Sequence, residues 1–309
     1  MIIQIPCYNE EETLPVTIRD LPRSLPGIDE IEVLIINDGS EDRTCEVAKE
    51  CGVHHIVGFA KNRGLAKAFM CGMNASLERG ADIIVNTDAD NQYVGADISK
   101  LVEPLLHGKA DVVIGDRETH TIDHFSHFKK FLQRHGSFIA GYLSGAKTSD
   151  ATSGFRAFTR EAALELNIIS DFSYTLETLI QAGRKRLAVQ FVSVRTNEKL
   201  RESRLFKNIF QFVKRSGSTM IRIYTTYEPL KVFLGIAAVF LTSGLFLFAR
   251  FLIFYLQGSG GGHIQSLILG ALLCLLAGFL AILGILADMI TANRKLIEEI
   301  LKRERDHCK

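Results

Sequence analysis

Asp82-Ile83-Ile84-Val85-Asn86-Thr87-Asp88-Ala89-Asp90-Asn91-Gln92 reads as a buried strand that runs directly into two carboxylates on alternate residues, with a carboxamide two positions further on. Side chains alternate along extended backbone, so Asp88, Asp90 and Gln92 leave the C-terminal end of the strand on one side. Three oxygen donors converging there suit a hard divalent cation, Mg2+ or Mn2+, that keeps several of its positions for phosphate oxygens. An Asp-x-Asp pair also occurs in ordinary loops. Its place behind a strand is what points to metal.

Outward from this stretch, apolar runs alternate with helix-length amphipathic segments, the pattern of a mostly parallel sheet covered on both faces. Strands are expected at Ile2–Ile5, Glu32–Asn37, His55–Gly58, Asp82–Asn86, Asp111–Gly115 and Leu187–Val194. Helices are expected around Glu11–Leu25, Glu41–Glu50, Leu65–Glu78, Asp97–Leu106 and Tyr174–Gly183. Ligands of open α/β sheets bind beyond the carboxyl ends of the strands. The polar clusters fall there: Pro6-Cys7-Tyr8-Asn9-Glu10, Asn37-Asp38-Gly39-Ser40, Asn62-Arg63-Gly64, Asp88–Gln92 and Gly115-Asp116-Arg117. A stable fold does not require acids, amides and glycines at every strand end, so they are read as one pocket.

The 309 residues allow one large domain and something more, and 36 Lys+Arg against 35 Asp+Glu give no sign of a nucleic-acid partner. Charge is unevenly distributed. Between Lys231 and Asp288 the only charged side chain is Arg250, and two apolar runs, 232–256 and 264–287, stand there. Each is long enough to cross a hydrocarbon core of about 30 Å. Lys207, Lys214, Arg215, Arg222 and Lys231 precede the first run, and Arg294, Lys295, Lys302, Arg303, Arg305 and Lys309 follow the second. Basic flanks stay on the cytoplasmic side, so both termini are expected inside and the Gly-rich turn 257–263 outside. Arg250 lies near the outer end of its run, within reach of the far interface. The opening Met1-Ile2-Ile3-Gln4-Ile5 is strand-like, and no signal peptide is expected. The six cysteines show no metal-ligand spacing and read as free thiols. Two basic segments with aromatic faces, 125–143 and 205–215, suit the headgroup layer of a membrane.

The motifs together resemble family 2 glycosyltransferases of the GT-A fold, in the polyprenyl-phosphate (dolichol-phosphate mannose synthase-like) branch. Ile5-Pro6-Cys7-Tyr8-Asn9-Glu10-Glu11, Asn37-Asp38-Gly39-Ser40, Asp88-Ala89-Asp90-Asn91-Gln92, Gly115-Asp116-Arg117 and Asp150-Ala151-Thr152-Ser153-Gly154-Phe155-Arg156 occur in the family's order. The resemblance implies a Rossmann-like GT-A catalytic domain over 1–204, a juxtamembrane amphipathic segment over 205–229, and a transmembrane hairpin with a basic cytoplasmic tail over 230–309. It implies that Pro6, Tyr8, Glu10, Ile36, Asp38, Asp88, Ala89 and Asp90 bind a nucleotide-diphosphate sugar. Asp88, Asp90 and Gln92 hold the metal, while Arg117, Arg201 and Arg204 meet the acceptor phosphate. Asp90, Arg117 and Asp150 are the implied catalytic set, with Asp150 a base, an acceptor-orienting group or a structural cap. The expected protein is an integral membrane enzyme of the plasma (inner) membrane, with its active site cytoplasmic. It transfers sugar with inversion to a polyprenyl phosphate such as undecaprenyl phosphate. Homo-oligomerisation is left open.

The chemistry points the same way. A lipid phosphate is already largely ionised near neutral pH, its second pKa lying at about 6, and needs cations to position it more than a base. Arg117 and the cluster Arg195, Lys199, Arg201 and Arg204 offer guanidinium forks that match phosphate. The competing readings are a neutral-lipid glycosyltransferase, a catalytically silent nucleotide-binding scaffold, and a processive polysaccharide synthase. The last is disfavoured by the absence of any Trp, since that class carries a Gln-x-x-Arg-Trp motif.

Overall fold

The computed structural model describes residues 1–117, 150–168, 174–197, 217–218, 221–222, 224–258 and 260–307. Arg201 and Arg204, with Lys199 and the two aromatic basic segments 125–143 and 205–215, lie outside the described residues. The chain divides into two compact units, Met1–Met220 with Ile300–Lys309, and Ile221–Glu299.

In the first unit the described strands are β1 (Ile2–Cys7), β2 (Glu32–Asp38), β3 (His55–Phe59), β4 (Ile83–Asn86), β5 (Val112–Asp116), β6 (Arg156–Thr159) and β7 (Val189–Ser193). Helices α1 (Leu14–Asp20), α2 (Thr44–Glu50), α3 (Leu65–Glu78), α4 (Ile98–Leu106), α5 (Arg160–Glu165) and α6 (Tyr174–Arg184) connect or cover them. The sheet runs β3-β2-β1-β4-β6-β5-β7. All pairings are parallel except those of β6, which runs antiparallel to β4 and β5.

Strand alternation explains why both faces are covered. Ile2, Leu34 and Ile36 send side chains into one core with Phe69 and Met73 of α3. Ile3, Ile5, Val33 and Ile35 enter the other, with Leu14 of α1 and Leu101 and Val102 of α4. Unbroken apolar runs are what a doubly covered strand requires. The helix expected over Glu11–Leu25 is shorter, Leu14–Asp20, while α3 keeps the full expected span. Two elements were not anticipated. Strand β6 opens on a charged residue and has four residues, too few for a period to register. Helix α5 follows at once, capped by Thr159, whose Oγ1 accepts from the Ala162 amide at 3.2 Å. Because β6 is antiparallel, it starts at the edge where β4 and β5 end, and brings residues 150–155 to their polar tips.

The second unit is built on two long helices, α7 (Pro229–Leu256) and α8, which begins at Ile264 and runs to His307, its last residues counting with the first unit. Both are long and apolar enough to cross a membrane, and little of their apolar surface is buried. Helix α8 runs on unbroken past the apolar run 264–287 into the charged residues that follow it. Charged residues extend it with i,i+4 support such as Arg294–Glu298 at 2.8 Å. Buried positions on α8 within this unit are Gly270, Ala277, Gly284 and Thr291, one every seven residues, and on α7 Pro229, Ala237 and Gly244. A Cβ on Gly244 would lie 2.9 Å from the Gly270 carbonyl oxygen. Small residues at heptad spacing let two helix backbones approach closely.

Candidate active site

The strand-end loops interlock before any substrate is considered. Asp38, buried at the tip of β2, accepts from Asn62 Nδ2 at 3.0 Å, Arg63 N at 2.7 Å and Gly64 N at 2.9 Å. It therefore ties the 62–64 turn against β2, and Gly39 leaves room for this turn, since a Cβ there would lie 2.4 Å from Asn62 N. The loop after β1 is joined to that after β2. Asn9 N donates to Ser40 Oγ at 3.0 Å, Glu41 N to Asn9 Oδ1 at 2.8 Å, and Glu10 N to Thr44 Oγ1 at 2.8 Å. A cavity of about 360 Å³ opens between them, lined by Asn9–Thr13, Glu41 and Asp42. Tyr8 is exposed beside it, while Pro6 and Glu10 are buried. Ile36, paired in register with Pro6, is fully buried and packs in the core.

At the end of β4, Ala89 is buried while Asp88, Asp90 and Gln92 are half-buried. Asp90 Oδ1 accepts from Gln92 N at 3.2 Å, an Asx turn that lets Asn91 adopt a φ of 53°. The loop is held from outside by Asn197, whose Nδ2 donates to Asn91 O at 3.1 Å and whose amide donates to Gln92 O at 2.9 Å. Among the described residues no group of three His, Cys, Asp or Glu side chains could hold a metal. Two carboxylates and a carboxamide nevertheless fit Mg2+ or Mn2+, which are commonly held by one or two protein carboxylates and complete their shell with phosphates and water. The oxygen-only set does not suit zinc, which favours Cys and His.

Arg117, one residue past β5, forms a two-pronged pair with Asp150: Nε donates to Oδ2 at 2.7 Å and Nη2 to Oδ1 at 3.1 Å. Nη2 also reaches Thr152 Oγ1 at 2.9 Å. Among the described residues Nη1 has no hydrogen bond. Burial works against the charge on both partners, but each holds the other ionised. Arg117 lies above its ordinary value, helped by Tyr93, and Asp150 lies below its own. Asp150 also caps its own turn, accepting from Thr152 N at 3.1 Å. Arg156 is wholly buried and pins residues 151–153 through Nε to Ser153 O (2.8 Å), Nη2 to Ala151 O (3.0 Å) and Nη1 to Thr178. Burial lowers its pKa to about 10, so it is still charged at neutral pH.

Tyr93 joins the two halves. Its ring stacks on Phe155 at 4.8 Å, its oxygen accepts from Gly154 N at 3.1 Å, and burial pushes its pKa up to about 12. The charges of both Arg117 and Asp88 act on it, so the acid loop and the arginine pair share one site. Arg195, read as part of a phosphate-binding cluster, instead clasps buried Asp97, with Nη2 to Oδ1 at 2.7 Å.

A match to the family described as glycosyl transferase family 2 spans residues 2–166. The chain belongs to that family. This glycosyltransferase is 30% identical over 199 residues to an undecaprenyl-phosphate mannosyltransferase of Micrococcus luteus, an alignment covering 62% of this chain and 79% of the other. It is 28% identical over 216 residues to a UDP-N-acetylglucosamine–dolichyl-phosphate N-acetylglucosaminyltransferase of Methanococcus voltae, covering 62% and 83%. Among solved structures, glucosyl-3-phosphoglycerate synthase of Mycobacterium tuberculosis, in complex with Mn2+, UDP-glucose and phosphoglyceric acid, superposes with a TM-score of 0.56 at 18% identity, over 72% of this chain and 79% of that one. The fold is GT-A.

Sequence reasoning passed over Asn86, Tyr93, Tyr174 and Asn197, which hold the acid loop from outside. For Asn86 a signal existed, a carboxamide closing an otherwise apolar strand. The others become partners only once distant segments meet.

Proposed function

We propose that this glycosyltransferase moves a sugar from a nucleotide-diphosphate donor to a polyprenyl phosphate, with inversion at the anomeric carbon. The observation that carries the reading is the presence of two carboxylates and a buried, charged arginine in one site. In this scheme Pro6, Tyr8, Glu10, Ile36, Asp38 and Ala89 belong to the nucleotide side, and Asp88, Asp90 and Gln92 hold Mg2+ or Mn2+. When bound, the cation neutralises charge that develops on the departing diphosphate. Arg117 presents its guanidinium to the acceptor phosphate, with Arg201 and Arg204 as further cations. An oxygen of the acceptor phosphate forms the new bond to the anomeric carbon as the bond to the diphosphate breaks. The nucleophile is already ionised, so no base is required. Asp150, bound through both oxygens to Arg117, serves to orient it. Both sequence relatives above are named for transfer to a polyprenyl phosphate, which supports the reading.

The test is membranes supplied with undecaprenyl phosphate or undecaprenol and a panel of labelled nucleotide sugars. Label should enter the lipid fraction with the phosphate and hardly at all with the alcohol. Equal use of the two would move the assignment to a neutral-lipid enzyme.

In this proposal both ends of the hairpin and the active site lie on the cytoplasmic side of the plasma membrane, a reading that the basic flanks of the two apolar runs support. In a cysteine-free background, a cysteine at Gly261 should react with an impermeant maleimide added to intact cells, and one at Arg303 only after lysis. The reverse pattern would overturn the orientation.

A further inference from the structure

Residues 195–197, just past β7, form a strap along the acid loop. Tyr93 and Thr196 make an antiparallel bridge, and Val94 N donates to Arg195 O at 3.4 Å. One end of the strap is fixed away from the acids, where Arg195 N donates to Asp97 Oδ2 and Arg195 Nη2 to Asp97 Oδ1, both at 2.7 Å. The other end is Asn197. Its amide donates to Gln92 O at 2.9 Å, and its Nδ2 donates to Asn91 O at 3.1 Å and to Tyr93 O at 3.4 Å. One residue thus binds three consecutive backbone carbonyls.

Those carbonyls belong to the turn that carries two of the three oxygen donors. Asn91 stands in the left-handed region at a φ of 53°, which asparagine tolerates better than most residues but still visits at a cost. The Asx turn from Asp90 Oδ1 to Gln92 N at 3.2 Å is local, and one neutral-strength bond of this kind is worth little by itself. Asn197 adds bonds from 106 positions away, so its hold on the turn exists only in the folded chain. Gln92 is then fixed on both sides, its N–H by Asp90 and its carbonyl by Asn197.

We infer that Asn197 is a positioning residue for the divalent cation, its carboxamide holding the 90–92 turn in one conformation so that Asp90 and Gln92 are set before the cation arrives. The inference rests on the metal reading proposed above. Groups outside the ligand shell that hold ligands in place are worth about 10- to 100-fold in metal affinity.

Asn197→Ala removes Nδ2 and keeps the backbone amide that bonds Gln92 O. Asn197→Asp keeps the shape and replaces the donor by an acceptor that faces two carbonyls. Three measurements apply to each full-length variant in detergent: hydrogen–deuterium exchange over residues 88–95 without metal, Mn2+ binding read by loss of the free-ion electron paramagnetic resonance signal, and thermal melting. Both variants should exchange faster over 88–95 and bind Mn2+ with a dissociation constant raised by about tenfold, while melting stays cooperative and close to that of the wild type. Wild-type Mn2+ affinity in Asn197→Ala, or weakened binding with unchanged exchange, would overturn the inference and leave the metal reading intact. Failure of the wild type to bind Mn2+ would overturn both.

Discussion

Asp90→Asn should reduce sugar transfer by a hundredfold or more while leaving the fold in place. Asparagine keeps an oxygen that can accept from Gln92 N, the bond now made at 3.2 Å, so the turn survives the change. What is lost is one of the two negative charges offered to the cation. Lewis-acid stabilisation of a leaving group is worth several kcal/mol, and each ~1.4 kcal/mol is a factor of ten in rate. Transfer of labelled sugar, measured with and without EDTA, checks this. Near-normal turnover by the variant, or full activity of the wild type in EDTA, would remove the metal from the mechanism.

Arg117→Ala should be equally severe, for two separable reasons. The first is structural. The side chain of Arg117 is 15% exposed and that of Asp150 only 1%, so truncation leaves a carboxylate in the interior without its counter-ion. Breaking such a pair costs about 3–5 kcal/mol. The sign of the pH dependence is diagnostic. In the wild type the Asp150 pKa is depressed, so its contribution to stability is complete above the ordinary carboxylate value of about 3.9 and is lost only as pH falls through the lower, folded value. In the variant, burial without the guanidinium raises that pKa instead. Its deficit should therefore shrink as pH is lowered from about 8 towards 5, which denaturant melts at several pH values would show. A deficit that is constant with pH would mean that Asp150 finds another partner. The second reason is catalytic. Arg117→Lys keeps a charge but loses the two-pronged geometry, so lipid-phosphate transfer should recover only in part. Slow donor hydrolysis, with water in place of the lipid, should persist in both variants. If hydrolysis and transfer fell together, Arg117 would belong to the donor side.

The sheet was legible because its strands are covered on both faces, and such strands appear as unbroken runs like Ile83-Ile84-Val85. Strand β6 was not. Arg-Ala-Phe-Thr has neither a run nor an alternation, and its leading Arg156 is buried only because carbonyls from 151 and 153 surround its head group. The site divides in the same way. Asp88, Asp90 and Gln92 are neighbours in sequence, so the motif was legible without the fold, but β4 ends at Asn86 and a turn with Asn91 at a φ of 53° follows in place of the extended backbone expected there. The pairing of Arg117 with Asp150 crosses 33 positions, and that of Asn86 with Tyr174 crosses 88. No local pattern encodes such distances. The same limit applies to Arg195, whose charge looked available for phosphate until Asp97 was found beside it.

Arg117 and Asp150 also stand at the two ends of the segment 118–149, which gives their ion pair a topological role. It fastens together the residue that follows β5 and the residue six positions before β6, which flank that segment in the sequence. Loop-closure entropy grows only logarithmically with length, so doubling such an excursion costs about 0.6 kcal/mol. Lengthening the segment between the two residues should then cost little in chain entropy, because the pair closes it.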